Sequence, residues 1–174
     1  MDVYYEDREY KAELRRVSVE GFSETEQLLE LPAEREYFIA VYLQDVTELN
    51  RYIKENEEQR LVAGLIYIDN YDEVMNSVEE VRQSLLVALV DRKINQYIAK
   101  ADGIVKKTET DKYFIALKKQ EFKRLEDDKF SLLEDVKTVN IGNQIPLTLS
   151  IGLGLSAGNY SQSYNYSRVA IDLA

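Results

Sequence analysis

Every position from Val62 to Ile68 is apolar, aromatic or glycine, the pattern of a strand buried on both faces. The run stops at Asp69, Asn70, Tyr71 and Asp72, so the strand ends in charge at the rim of a sheet, where ligands and metals commonly sit. From Tyr71 to Lys100 apolar residues return every three or four positions, among them Val78, Leu86, Val90, Ile94 and Ile98. That spacing predicts a long helical stretch, interrupted near Asn76 to Glu79. Gly103 to Lys107 and Lys112 to Leu117 read as two strands around a turn at Thr108 to Asp111. Lys118 to Lys137 reads as an amphipathic helix, Leu147 to Leu155 as a strand, and Tyr164 to Ala174 as a last helix. The order strand, helices, hairpin, helix, strand, helix predicts an α+β domain, with a central antiparallel-rich sheet flanked by helices.

Upstream, residues 1–20 alternate loosely in a charged, tyrosine-rich setting and predict one or two exposed strands. Residues 22–36 carry turn and short helical signals around Leu28, Leu29, Leu31 and Pro32, and Tyr37 to Leu43 is a second strong strand. In Gln44 to Arg60, Asp45 and Thr47 are placed to cap a helix that carries Leu49, Tyr52, Ile53 and Asn56 at helical spacing. A charged helix with so narrow an apolar stripe either pairs with its copy in a dimer or packs on its own domain, and the sequence leaves both readings open.

Composition narrows the chemistry. The 174 residues are 45% hydrophobic with two prolines, enough for one ordinary domain and an appendage. A net charge of −10 argues against nucleic acid or an anionic membrane surface as a primary partner. The chain has no cysteine, hence no disulfide, thiolate zinc site or cysteine nucleophile, which suits a reducing cytoplasm. It has no histidine either, which removes serine–histidine and cysteine–histidine mechanisms and histidine-ligated haem. No apolar stretch approaches the roughly 20 residues needed to span a bilayer.

Three segments together resemble the GGDEF, or nucleotidyl cyclase-like, domain. IDNYDE at Ile68 to Glu73 stands where that family's first strand ends in a metal-binding Asp, ETDKY at Glu109 to Tyr113 where its signature hairpin lies, and PLTLSIGLGLS at Pro146 to Ser156 where a later strand carries Ser-Ile-Gly. The combination is most similar to the degenerate GGDEF-like module of the GdpP (YybT-type) cyclic-di-AMP phosphodiesterases, and covers roughly residues 36–174. The resemblance implies a parent with a membrane anchor, a PAS domain, this module and a DHH/DHHA1 catalytic domain. The DHH motif needs histidine, so that catalytic domain is not in this chain. The implied setting is a soluble fragment at the cytoplasmic side of the membrane, without direct membrane contact.

Carried over residue by residue, the resemblance implies that Asp69 and Asp111 hold a Mg²⁺ together with nucleotide phosphates, and that Asn70, Tyr71, Asp72 and Lys112 face the nucleotide, for which ATP is the candidate. No residue stands out as catalytic. Asp72 has a competing reading as a helix cap. The departures from the family pattern exclude diguanylate cyclase activity. Glu109 and Thr110 replace paired glycines, Lys112 replaces the signature glutamate, Tyr71 replaces a second strand-end Asp, and Ser77 stands at the guanine-reading Asn position. The implied division is a PAS-derived segment over 1–46, a signalling helix over 47–60 and the degenerate GGDEF-like domain over 61–174. An N-terminal hairpin belonging to the main domain is the other reading of the first segment. Two functions follow as expectations: nucleotide binding with weak ATP hydrolysis, or a non-catalytic scaffold that homodimerises through PAS and linker and relays a signal to the DHH domain.

Overall fold

The computed structural model describes residues 1–18 and 37–174, so the turn and helical signals read over 22–36 lie outside the described residues. Two units are distinguished, Met1–Glu55 and Asn56–Ala174, and the boundary falls inside a helix.

The first unit is a three-stranded antiparallel sheet of β1 (Asp2–Tyr5), β2 (Arg8–Ser18) and β3 (Tyr37–Asp45), in that order. Glu6 and Asp7, at φ 46° and 58°, form the two-residue turn between β1 and β2, a left-handed pair that suits the twist of a hairpin. Leu14 faces Val41 and Ala12 faces Leu43 across β2 and β3. Helix α1 (Thr47–Gln59) follows directly. Asp45 is the capping side chain: its Oδ1 accepts the Thr47 N–H at 3.0 Å and the Thr47 hydroxyl at 2.7 Å. No residue of α1 is buried, and Leu49, Tyr52 and Ile53 are each more than half exposed.

The second unit is built on β4 (Leu61–Ile68), the long apolar run of the sequence. It occupies an inner place in a four-stranded antiparallel sheet ordered β5-β6-β4-β7, where β5 is Ile104–Lys107, β6 Lys112–Lys118 and β7 Leu149–Leu153. The alternation of a strand sorts its side chains to two faces. Ile66 and Ile68, with Tyr113, Ile115 and Leu117 of β6, form the core with Leu86, Val90, Ile94 and Ile98 of α3 (Glu80–Lys100). The break expected near Asn76 to Glu79 separates α3 from the short α2 (Tyr71–Asn76).

Helix α6 (Tyr160–Asp172) packs directly on β4 and β7. Its approach depends on two glycines of β7 and the residue after it. A Cβ at Gly152 would sit 2.8 Å from the Ile171 nitrogen, and one at Gly154 would press on the Ser163 carbonyl. Ser163, only 2% exposed, then enters the strand ladder itself: its hydroxyl accepts the Ala63 N–H at 2.8 Å and donates to the Gly154 carbonyl at 2.7 Å.

Two elements depart from the sequence reading. The helix expected over Lys118 to Lys137 is two, α4 (Glu121–Asp127) and α5 (Leu132–Lys137), because Lys129 and Phe130 turn left-handed at φ 53° and 50° and end the first. The last helix begins four residues earlier than Tyr164, at Tyr160, where the Asn159 side chain caps it by accepting the Gln162 N–H at 2.9 Å. No helix among the described residues is long and apolar enough to cross a membrane.

Candidate functional site

The carboxyl end of β4 is stitched to both of its neighbours. The Ile68 N–H donates to the Asp111 carbonyl at 2.8 Å and the Asp69 N–H to the Thr148 carbonyl at 3.0 Å. The Asn70 side chain extends the second link, accepting the Thr148 N–H at 3.0 Å and donating to the Pro146 carbonyl at 2.9 Å. These bonds fix where the strand releases its polar residues and bring the hairpin turn, more than forty positions later in the chain, beside Asp69.

The result is an open cleft of about 330 Å³ lined by Ile68, Asp69, Asn70, Tyr71, Asp72, Glu73, Thr110 and Asp111. Asp69 and Asp111 thus share one cavity. Tyr71 is half-buried, and its phenol is pushed to higher pKa, first by burial and then by the charges of Asp111, Asp72 and Asp91. That ordering places the ring in a strongly acidic neighbourhood. Four carboxylates in one small cleft repel one another, and a hard divalent cation with oxygen ligands relieves that repulsion. The donor set therefore fits Mg²⁺ in kind, although no group of three acidic side chains among the described residues closes on a single point. A metal held by Asp69 and Asp111 needs further oxygens from a phosphate or water.

Two assignments made from the sequence change. Asp72 is not the cap of α2: Asn70 holds that position without a side-chain cap bond, and Asp72 lies in the first helical turn. A carboxylate there still favours the helix through its dipole. Lys112 is not brought to the cleft. Lys112, the first residue of β6, ion-pairs with Glu109 at 2.7 Å and lies 5.4 Å from the Tyr67 ring centroid, while still feeling the Asp111 charge. The Glu109 hydrogen bond raises its pKa and keeps the ammonium charged. Of the predicted nucleotide-facing set, Asn70, Tyr71 and Asp72 line the cleft, while the Asn70 amide is already spent on main-chain groups.

Sequence reasoning gave no binding role to Glu73 or Thr110, which also line the cleft, and did not single out Asp91. Glu73 was legible as the acidic residue closing IDNYDE. Asp91 was not, because its partners Lys107 and Tyr113 are 16 and 22 residues away.

The family of cyclic-di-AMP phosphodiesterase GdpP-like GGDEF domains matches residues 66–174, a span that begins within β4 and contains the whole cleft. The chain belongs to this family. Among curated relatives, the cyclic-di-AMP phosphodiesterase GdpP of Geobacillus thermodenitrificans is 30% identical over 134 residues, 77% of this chain and 20% of that protein. The cyclic-di-AMP phosphodiesterase PdeA of Listeria monocytogenes is 31% identical over the same shares. This GdpP-type GGDEF chain therefore spans about a fifth of the length of those relatives. Among solved structures it is similar to the FimX GGDEF domain of Pseudomonas aeruginosa, with TM-score 0.54 and 13% identity over 73% of this chain and 83% of that one. It is also similar to the active GGEEF domain of a Vibrio cholerae diguanylate cyclase, with TM-score 0.54 and 16% identity over 72% and 81%. At such identities the likeness establishes the GGDEF fold alone.

Proposed function

We propose that this GdpP-type GGDEF domain is the regulatory part of a cyclic-di-AMP phosphodiesterase, has no cyclase activity, and binds a Mg²⁺–nucleotide in the acidic cleft. The observation that carries the reading is that Asp69 and Asp111, far apart in sequence, line one cavity. When bound, Mg²⁺ supplies charge neutralisation of a polyphosphate. Asp69 and Asp111 hold it, and Tyr71 and Asp72 flank the nucleotide. Glu109 and Thr110 put exposed side chains on the hairpin turn that cyclase chemistry needs bare, and Lys112 is not among the residues lining the cleft. The cleft offers carboxylates but, among the described residues, no histidine or lysine to activate a nucleophile, so any ATP hydrolysis here is slow. Hydrolysis of the cyclic dinucleotide falls to a separate DHH/DHHA1 domain of a membrane-anchored parent, with this domain at the cytoplasmic side. The β1–β3 sheet is the end of a PAS domain.

The deciding experiment is isothermal titration of the chain with ATP and GTP, with and without Mg²⁺, in wild type, Asp69→Ala and Asp111→Ala. Metal-dependent binding that disappears in both variants supports the reading. Silence at millimolar nucleotide defeats it.

A second reading is favoured by α1, whose Leu49, Tyr52 and Ile53 stay exposed and offer a stripe for a second copy of the helix. In that case the domain is a dimerising scaffold that relays a signal. Sedimentation of wild type against Leu49→Glu/Ile53→Glu separates the two, since only a scaffold loses its dimer while nucleotide affinity is absent.

A further inference from the structure

Helix α3 reaches beneath the hairpin with one carboxylate. Asp91 accepts a hydrogen bond from the Tyr113 hydroxyl and ion-pairs with the Lys107 ammonium at 3.0 Å. Tyr113 is 1% exposed, and the same ammonium lies 5.2 Å from its ring centroid. Lys107 ends β5, Tyr113 is the second residue of β6, and the two are register partners. One side chain thus grips both strands where the hairpin opens into its turn.

Beyond that grip the turn is held by its own solvent-exposed bonds and by one bond to β4. Thr108, Glu109 and Thr110 are exposed, and their bonds converge on one residue: the Thr108 N–H, the Thr108 hydroxyl and the Glu109 N–H donate to the Lys112 carbonyl at 2.9, 3.1 and 3.3 Å, the Lys112 ammonium ion-pairs with Glu109, and the Ile68 N–H donates to the Asp111 carbonyl at 2.8 Å. Asp111 stands two residues before Tyr113, immediately before β6 begins, so a shift of Tyr113 is passed to Asp111 along the backbone. A neutral acceptor would satisfy the buried phenol. Only a charge also holds Lys107, and so both strands at once.

We propose that Asp91 is a positioning residue for Asp111: by tying Lys107 and Tyr113 to α3 it sets where the turn carboxylate stands in the cleft. This rests on the reading of that cleft as a metal–nucleotide site. It requires that loosening the tie change the turn before it changes the fold.

Two measurements on the same proteins test it. Hydrogen exchange is followed in wild type, Tyr113→Phe, Asp91→Asn and a control, Asp102→Asn, which removes the exposed Lys118–Asp102 pair at the far end of the hairpin. The expected result is exchange about tenfold faster at Ile68, Thr108 and Glu109 in the first two variants, with α3 and β7 unchanged and the control like wild type. Unaltered exchange at the turn, or an equal rise throughout the unit, overturns the proposal. In the second arm, Mn²⁺ affinity in the presence of ATP is measured for Asp91→Asn, Asp111→Ala and the double variant. Asp91→Asn is expected to weaken Mn²⁺ about threefold or more, with no further loss on the Asp111→Ala background. Additive losses overturn it. A wild type that binds no Mn²⁺ defeats the reading under Proposed function, and the exchange arm alone then decides the role of Asp91.

Discussion

Replacing Ser163 by alanine removes one hydroxyl and orphans two main-chain groups. The Ala63 N–H donates to that oxygen at 2.8 Å, and the oxygen donates to the Gly154 carbonyl at 2.7 Å. Ser163 is 2% exposed, so water does not take over without opening the α6–sheet contact. Each orphaned buried group costs about 1–3 kcal/mol, and the pair is expected to cost about 2–4 kcal/mol. Ser167 supplies the comparison. It is equally buried, at 0% exposure, but its hydroxyl donates only to the Tyr164 carbonyl one turn back in its own helix. Ser167→Ala should therefore cost under about 1 kcal/mol. Urea unfolding followed by circular dichroism reads both. With a slope of about 1–3 kcal/mol per molar, the Ser163→Ala midpoint falls by roughly 1–2 M and the Ser167→Ala midpoint much less. Equal shifts, or a Ser163→Ala loss under about 0.5 kcal/mol, would refute the claim that Ser163 acts as a member of the strand ladder.

Gly154→Ala forces a methyl onto the Ser163 carbonyl and is expected to cost about 3 kcal/mol or more, measured in the same urea titration. Alkaline unfolding should expose the buried phenols. Burial and the Asp91 charge raise the Tyr113 pKa, so its contribution is complete below the unfolded value near 10 and is lost as pH climbs past it. Tyr113→Phe should flatten the fall of stability above pH 10 by up to about 1.4 kcal/mol per pH unit, and parallel slopes would contradict this. Asp128 shows the opposite sign: the Ser131 hydroxyl holds its pKa down, giving stability that is present above about pH 4 and lost as the pH falls further. The stability gap between wild type and Ser131→Ala should accordingly close in acid, as read by thermal melts at pH 3 and pH 7.

Much of this was legible in the chain because hydrophobic periodicity reports burial directly. The unbroken Val62–Ile68 run, the spacing through α3 and the break before it, and the two short strands around Thr108–Asp111 all stand where the pattern put them. The joint between α4 and α5 was not legible. Lys129 and Phe130 adopt left-handed backbone without glycine, Phe130 is packed against the core, and nothing local in the sequence announces that bargain. The start of α6 was available in Asn159 with Gln162 three residues on, a capping pattern masked by the polar, tyrosine-rich run around it. In the cleft, the carboxylates could be named from their place at the strand end and turn. That Lys112 is taken up by Glu109 and the Tyr67 ring, and that Asp91 braces the turn through pairings across 16 and 22 residues, only the folded chain reveals.

The inner place of β4 has a consequence for how the chain comes into being. Its apolar edges find their partners only when β6 and then β7 have been made, Ile68 meeting Leu149 about eighty residues downstream. At a synthesis rate of about 5–20 residues per second, that strand waits roughly 4–16 s for its second neighbour. Meanwhile α3 and the β5–β6 hairpin, whose contacts are local, are free to assemble first. An unbroken apolar strand, the kind that pairs readily with other chains, thus waits for partners made long after it.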